Sequence, residues 1–323
     1  MKKIALTLGD PAGIGAEVLV KALSSPHVRG CLPVMIGDLP VVRDALSLCK
    51  SSLDLKIIKS PDEASLSPGT LWLLDVNVLT SYKKTVPDAQ NGKACVEYIR
   101  KAVKLAAEKK VDGIVTAPIS KEALKLAGFR WPGHTEMLAE FTGTKEYAMM
   151  LAGGPLRVIL VTIHTALRDV PGLITRERVL RTIRLAQKAC DMLGIDSPAI
   201  AVAGLNPHAG ESGIFGEEEA EAIIPAIEAA KNEGITVDGP YPPDTLFHKA
   251  YHGAIDIIVT MYHDQGLIPL KMIAFDTGVN VTVGLPIIRT SPDHGTAYDI
   301  AWKGIAVPAS MIEAINMAIR LKM

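Results

Sequence analysis

Short runs rich in Val, Ile and Leu recur along this chain, and each is followed by a longer stretch whose apolar residues repeat at helical spacing. Strands buried on both faces and joined by crossover helices produce that alternation, so the expected fold class is α/β with a largely parallel sheet. Strands are predicted at 4–8, 32–36, 55–58, 71–74, 113–116, 157–163, 199–203, 255–261 and 279–283, where β-branched content favours strand over buried helix. Long helices are predicted at 92–110, 175–193, 217–232 and 308–321, with Gly194 and Gly234 as stops just past two of them. With 323 residues, 48% of them hydrophobic, there is enough chain for one large or two medium domains. No internal repeat or low-complexity linker marks a boundary, so a division falls in ordered loops, near Ile119 and Asp276.

A formal net charge of −1 gives no global field for nucleic acid or anionic lipid, so neither partner is expected. Cys31, Cys49, Cys95 and Cys190 lie far apart without a C-x-x-C pair. That suggests neither a disulfide framework nor a thiolate zinc site and fits a reducing compartment. Lys2-Lys3 and the apolar residues after them start like a signal peptide, but Gly9-Asp10-Pro11 breaks the run. No segment reaches the ~18 apolar residues of a membrane span, and a cytoplasmic protein is the expectation.

Three of the histidines close strand patterns: His164 after Val161-Thr162-Ile163, His208 after Gly204-Leu205-Asn206-Pro207, and His263 after Met261-Tyr262. In open α/β sheets ligands sit outside the carboxyl ends of the strands, so residues distant in sequence converge there. Three imidazoles with one open position form the ligand set of a catalytic divalent cation, zinc first and then cobalt, manganese or magnesium. A single such histidine is more often a hydrogen-bonded strand-end residue; three in one context shift the weight to a metal. His248 and His252 have zinc spacing on a helical segment, but Lys249 stands where a metalloprotease needs glutamate, so a surface face is expected. His27, beside Pro26, reads as structural.

Polar clusters suggest an anionic ligand. Trp131-Pro132-Gly133-His134-Thr135-Glu136 opens a helix whose free N–H groups, with Thr135, can bind an anion or form an ordinary capping box. Lys271, Asn280 and Arg289 are spaced through an apolar stretch and fit a carboxylate or phosphate. Gly9-Asp10-Pro11-Ala12-Gly13-Ile14-Gly15, with Asp38 ending the second strand, invites a dinucleotide-binding Rossmann reading. Val18 occupies the third glycine position, so that motif is incomplete. The polar segment Asp293-His294-Gly295-Thr296-Ala297-Tyr298-Asp299, running on to Lys303-Gly304-Ile305-Ala306, has the composition of a functional loop.

At these residues the sequence closely resembles the 4-hydroxythreonine-4-phosphate dehydrogenases of vitamin B6 synthesis. The pieces are Gly9 to Gly15, Gly133-His134-Thr135-Glu136, Gly204 to Glu211, Gly239-Pro240 with Asp244-Thr245, Tyr262-His263-Asp264-Gln265-Gly266, and Gly278 to Thr282 with Arg289-Thr290-Ser291. More distantly, Asp293 to Ala297 and Lys303 to Ala306 resemble the adenosine-binding loop of isocitrate and isopropylmalate dehydrogenases. The resemblance implies a two-domain isocitrate/isopropylmalate dehydrogenase-like fold, not a Rossmann domain. It implies a cofactor-side unit of 1–118 and 277–323, and a substrate, metal and dimerisation unit of 119–276.

Carried over position by position, the resemblance implies metal ligands at His164, His208 and His263 and substrate contacts at His134, Thr135, Lys271, Asn280 and Arg289. It implies NAD(P) as cofactor, at His294, Gly295, Thr296 and Asp299, a divalent zinc, magnesium or cobalt ion, and a homodimer with shared active sites. The reaction implied is oxidation of 4-phosphohydroxy-L-threonine, with Lys271 or Asp244 as base. Other readings are the same chemistry on 4-phospho-D-threonate or D-erythronate, a three-histidine metallohydrolase or aldolase, and a non-catalytic binding module.

Overall fold

The computed structural model describes residues 1–323. The chain forms two compact units, one of Met1–Lys145 with Leu285–Leu321 and Met323, the other of Glu146–Gly284 with Lys322.

The first unit begins β1 (Lys2–Thr7), α1 (Gly15–Leu23), β2 (Cys31–Gly37), α2 (Leu39–Leu48), β3 (Asp54–Ile58) and β4 (Thr70–Asp75). It continues with α3 (Ala89–Ala107), β5 (Gly113–Thr116), α4 (Lys121–Leu126) and α5 (His134–Thr142). The second unit runs β6 (Ala148–Gly153), β7 (Leu156–Leu160), α6 (Arg176–Leu193), β8 (Ile200–Ala203), α7 (Ile224–Asn232) and β9 (Val237–Tyr241). It then adds α8 (Pro243–Tyr251), β10 (Ile257–Thr260), α9 (His263–Ala274) and β11 (Val279–Val283), before β12 (Arg289–Pro292) and α10 (Ala309–Arg320) return to the first unit.

The strand order in the first unit is β3-β4-β2-β1-β5-β12, and every pair is parallel. β5 is buried throughout, as is β1 from Ile4 to Thr7, which is why those segments read as unbroken apolar runs rather than alternating ones. In the second unit the order is β11-β6-β7-β10-β8-β9; β6 is antiparallel to both its neighbours and the remaining pairs are parallel. Its core gathers Leu151, Val158, Leu160, Ile258, Leu267 and Leu270. No helix is long and apolar enough to cross a membrane.

Three differences from the sequence expectation bear on the site. Residues 119–145, expected in the second unit, belong to the first, because α4 and α5 pack on α3. Residues 277–284, expected in the first, belong to the second, because β11 pairs with β6 from Val279↔Ala152 to Val283↔Ala148. The strand expected at 157–163 ends at Leu160, although Val161 and Thr162 still donate backbone bonds to Thr260 and Met261.

Candidate active site

In the first unit, α5 starts at His134 behind Gly133, as the Pro-Gly turn predicts. β12 lies beside β5 with Arg289 level with Ile114, and the Arg289 side chain reaches Thr116 at the end of β5. Its Nε and Nη2 donate to the Thr116 hydroxyl at 3.2 and 2.8 Å. Arg289 is 2% exposed, and burial pushes its pKa down to about 9, with Glu136 acting in the opposite sense. The guanidinium is still a cation at neutral pH. Burial, then the nearby Arg289 charge, hold His134 well below the usual histidine range, so its ring is neutral. Its Nε2 is shielded from solvent and makes no hydrogen bond. With buried Thr135 beside it, this is a polar seat suited to a phosphate or carboxylate.

In the second unit, β7, β10 and β8 are adjacent and parallel, so their carboxyl ends lie together. Leu160 lies level with Thr260, and just past these strand ends His164 and His263 come together, with ring centroids 5.6 Å apart. Two imidazoles on one tetrahedral ion, each nitrogen at ~2.1 Å, have centroids separated by roughly 5 Å, so this pair fits a shared metal. The Asp264 carboxylate lies 2.7 Å from Nδ1 of His263, an arrangement that fixes the ring and turns Nε2 outward. His208 lies near the aromatic ring of Phe215 at 6.2 Å instead, and no three His, Cys, Asp or Glu side chains in this chain gather closely enough to hold a metal. The donor chemistry fits a divalent cation, and one chain presents two of the three expected ligands together.

Lys271 follows His263 by two helical turns on α9, and both line a cavity of about 400 Å³ with Leu267 and Met272. Asn280, on β11, has a buried Oδ1 with no hydrogen bond. Asp244 is exposed in the first turn of α8 and accepts a bond from the Thr245 amide. Of the two base candidates, only Lys271 shares the cavity with His263.

His294, Gly295, Thr296 and Asp299 fall in the loop after β12. Nε2 of His294 is buried without a hydrogen bond, and burial lowers the ring's pKa. With Nδ1 3.1 Å from the Gly295 carbonyl oxygen, the unpaired Nε2 fits a ligand that offers a polar group, as a nucleoside does. Asp38 does not play the Rossmann ribose role: it is wholly buried and accepts from the Val78 and Leu79 amides and the Tyr98 hydroxyl. His248 and His252 lie side by side on the exposed side of α8 with their rings tilted by 41°, and Nδ1 of His252 is 2.8 Å from the His248 carbonyl oxygen.

Several residues that brace the site escaped the sequence. Gln265 accepts from the Met261 amide and donates to the Gly204 carbonyl, tying the end of β10 to the end of β8. It lies inside a quoted motif, but nothing in the pattern marks its role. Glu219 accepts from the amides of Leu205 and Asn206, at the root of the His208 loop.

The family model for pyridoxal phosphate biosynthetic protein PdxA matches residues 29–318. A 4-hydroxythreonine-4-phosphate dehydrogenase of Trichlorobacter lovleyi is 51% identical, over 99% of this chain and 97% of that protein. A D-threonate 4-phosphate dehydrogenase of Pectobacterium atrosepticum is 46% identical over 99% of each. The crystal structure of 4-hydroxythreonine-4-phosphate dehydrogenase from Klebsiella pneumoniae superposes with a TM-score of 0.93 at 44% identity, covering 99% of this chain and 97% of that one. The shared α/β fold and the full-length match have one consequence: the chain belongs to the PdxA family of pyridoxal phosphate biosynthetic proteins.

Proposed function

We propose that the protein is an NAD(P)-dependent dehydrogenase that oxidises the C3 hydroxyl of 4-phosphohydroxy-L-threonine. The product, 2-amino-3-oxo-4-phosphobutanoate, loses carbon dioxide to give 3-amino-2-oxopropyl phosphate for pyridoxine 5'-phosphate synthesis. The observation that carries this reading is the buried Arg289 cation beside His134 and Thr135 in a chain of this family. A buried guanidinium beside a neutral imidazole and a helix start suits an anion, and a phosphorylated amino acid brings two.

Arg289, His134 and Thr135 hold and orient one anionic end, and Lys271 and Asn280 are the remaining substrate contacts of the assignment. His164, His208 and His263 would hold a divalent zinc, magnesium or cobalt ion, which would supply Lewis acidity to the substrate hydroxyl. Lys271 takes the hydroxyl proton, and NAD(P)+, when bound, would supply the hydride acceptor for the C3 hydrogen. His294, Gly295, Thr296 and Asp299 receive the cofactor's adenosine. The protein works as a homodimer in which His208 of the partner subunit completes the pair His164 and His263. The exposed apolar residues Ile268, Met272 and Phe275, on one face at the end of α9, support that association.

A second reading has its own observation, since relatives of similar identity are named for D-threonate 4-phosphate. The test follows nicotinamide reduction with 4-phosphohydroxy-L-threonine, 4-phospho-D-threonate and 4-phospho-D-erythronate, with and without chelator. Fastest metal-dependent turnover on the first is expected, with a loss of at least about a hundredfold in His208→Ala. Preference for a sugar acid moves the enzyme to catabolism; no reduction of NAD(P)+ with any of the three refutes the dehydrogenase.

A further inference from the structure

Residues 293–306 form neither helix nor strand, and Ala297 and Trp302 in this loop take left-handed backbone angles, φ 44° and 61°. Residues other than glycine adopt that conformation only where the surroundings impose it. The constraint comes from the other end of the chain. Asp10, wholly buried, accepts the Ala12 amide at 2.8 Å with one carboxylate oxygen and the Tyr298 hydroxyl at 2.6 Å with the other. The Ile14 amide donates to the Thr296 carbonyl, and the Trp302 indole donates to the Pro11 carbonyl, both at 3.0 Å. On α1, Glu17 accepts the Ala306 amide at 2.8 Å while Lys21 donates to the carbonyls of Gly304 and Ala306.

The same contacts explain the incomplete glycine motif. A Cβ on Gly13 would stand 2.9 Å from the Thr296 oxygen, and one on Gly9 would stand 2.3 Å from the Pro118 oxygen. Gly9 thus lets the segment pack on the chain after β5, while Gly13 lets it pack on the later loop, which the segment clamps through Gly13 and Ile14.

We propose that Asp10 and Tyr298 are positioning residues whose bond locks the 293–306 loop in the shape that seats the adenosine half of the dinucleotide. This rests on the assignment of His294, Gly295, Thr296 and Asp299 as cofactor contacts. Neither Asp10 nor Tyr298 touches substrate in this scheme; both act through the loop.

The test is Tyr298→Phe, which removes one oxygen and keeps the ring, beside Asp10→Asn, which keeps an acceptor. NADH affinity, measured by fluorescence titration, falls about fivefold in Tyr298→Phe and less in Asp10→Asn. KM for the oxidised cofactor rises by the same factor, while kcat and KM for the phosphorylated substrate hold. Amide hydrogen exchange over residues 294–302 of the cofactor-free protein quickens. Unchanged NADH affinity together with unchanged exchange overturns the proposal. Faster exchange with unchanged affinity shows that the clamp is real and overturns its role in cofactor binding. Failure of the wild-type protein to bind either NADH or NADPH refutes the cofactor assignment, and the proposal with it.

Discussion

At the scale of single residues, the polar seat in the first unit is built from opposed electrostatics. A buried guanidinium lies next to an imidazole that burial and that same charge keep neutral. The sign of the resulting pH effect follows from linkage. His134 has a folded pKa below its unfolded value near 6.5, so the unfolded chain takes up more protons as the pH falls. Stability is full above about 6.5 and is lost progressively below it, toward the depressed folded value. Urea unfolding between pH 7 and pH 5 should show a smaller loss in His134→Asn than in the wild type; equal slopes in the two proteins would mean that folding does not shift the ring's pKa. His134 and Thr135 were legible in sequence because a Pro-Gly turn announces a helix start, and Arg289 because a cation follows the apolar Pro286-Ile287-Ile288. Thr116 was not, since a threonine ending a strand looks like any other until β12 lies beside it.

At the scale of elements, the legible parts were those whose side chains repeat. The helix expected at 92–110 forms at Ala89–Ala107, and the one expected at 175–193 forms behind the Thr175 cap and stops at Gly194, φ 70°. The strands not foreseen are β6, whose Ala148-Met149-Met150-Leu151 lacks β-branched residues, β9, which contains Gly239-Pro240, and β12, polar yet wholly buried. The helix expected at 217–232 forms in two parts, a π-helical turn at Glu219–Ile223 and then α7 with Pro225 in its first turn. The extra residue per turn sits where Glu219 points inward, 4% exposed, at the root of the His208 loop. That loop holds a run of left-handed residues, His208, Ala209, Gly210, Glu211 and Ser212, each with φ between 42° and 80°. Left-handed turns of L-residues are unfavourable by roughly 1–2 kcal/mol per residue, so they need a fixed anchor. Glu219→Ala strips the Leu205 and Asn206 amides of their acceptor and should cost about 2 kcal/mol in urea unfolding, whereas exposed Glu217→Ala should stay within about 0.5 kcal/mol. Comparable values for the two would remove Glu219 from the support of the loop.

At the scale of the whole molecule, the strand-end histidines divide unevenly. Sequence placed all three at carboxyl ends of strands; adjacency of β7 and β10 then joins His164 to His263, while the left-handed loop keeps His208 apart. A pattern along one chain cannot say whether a set of ligands closes within that chain, because symmetric assembly can bring in the missing member. The uneven division makes the shared site testable without a structure of the dimer. His208→Ala and His263→Ala each remove one ligand, and each protein alone should be inactive. When both are expressed together, random pairing makes about half of the dimers mixed. In a mixed dimer one site takes intact His164 and His263 from the first variant and intact His208 from the second, while the other site lacks both altered ligands. Activity should therefore recover to about a quarter of the wild-type value, and metal content should rise in the same proportion. If the three histidines of a site all belong to one chain, mixing restores nothing, and the proposed sharing of ligands between subunits is refuted.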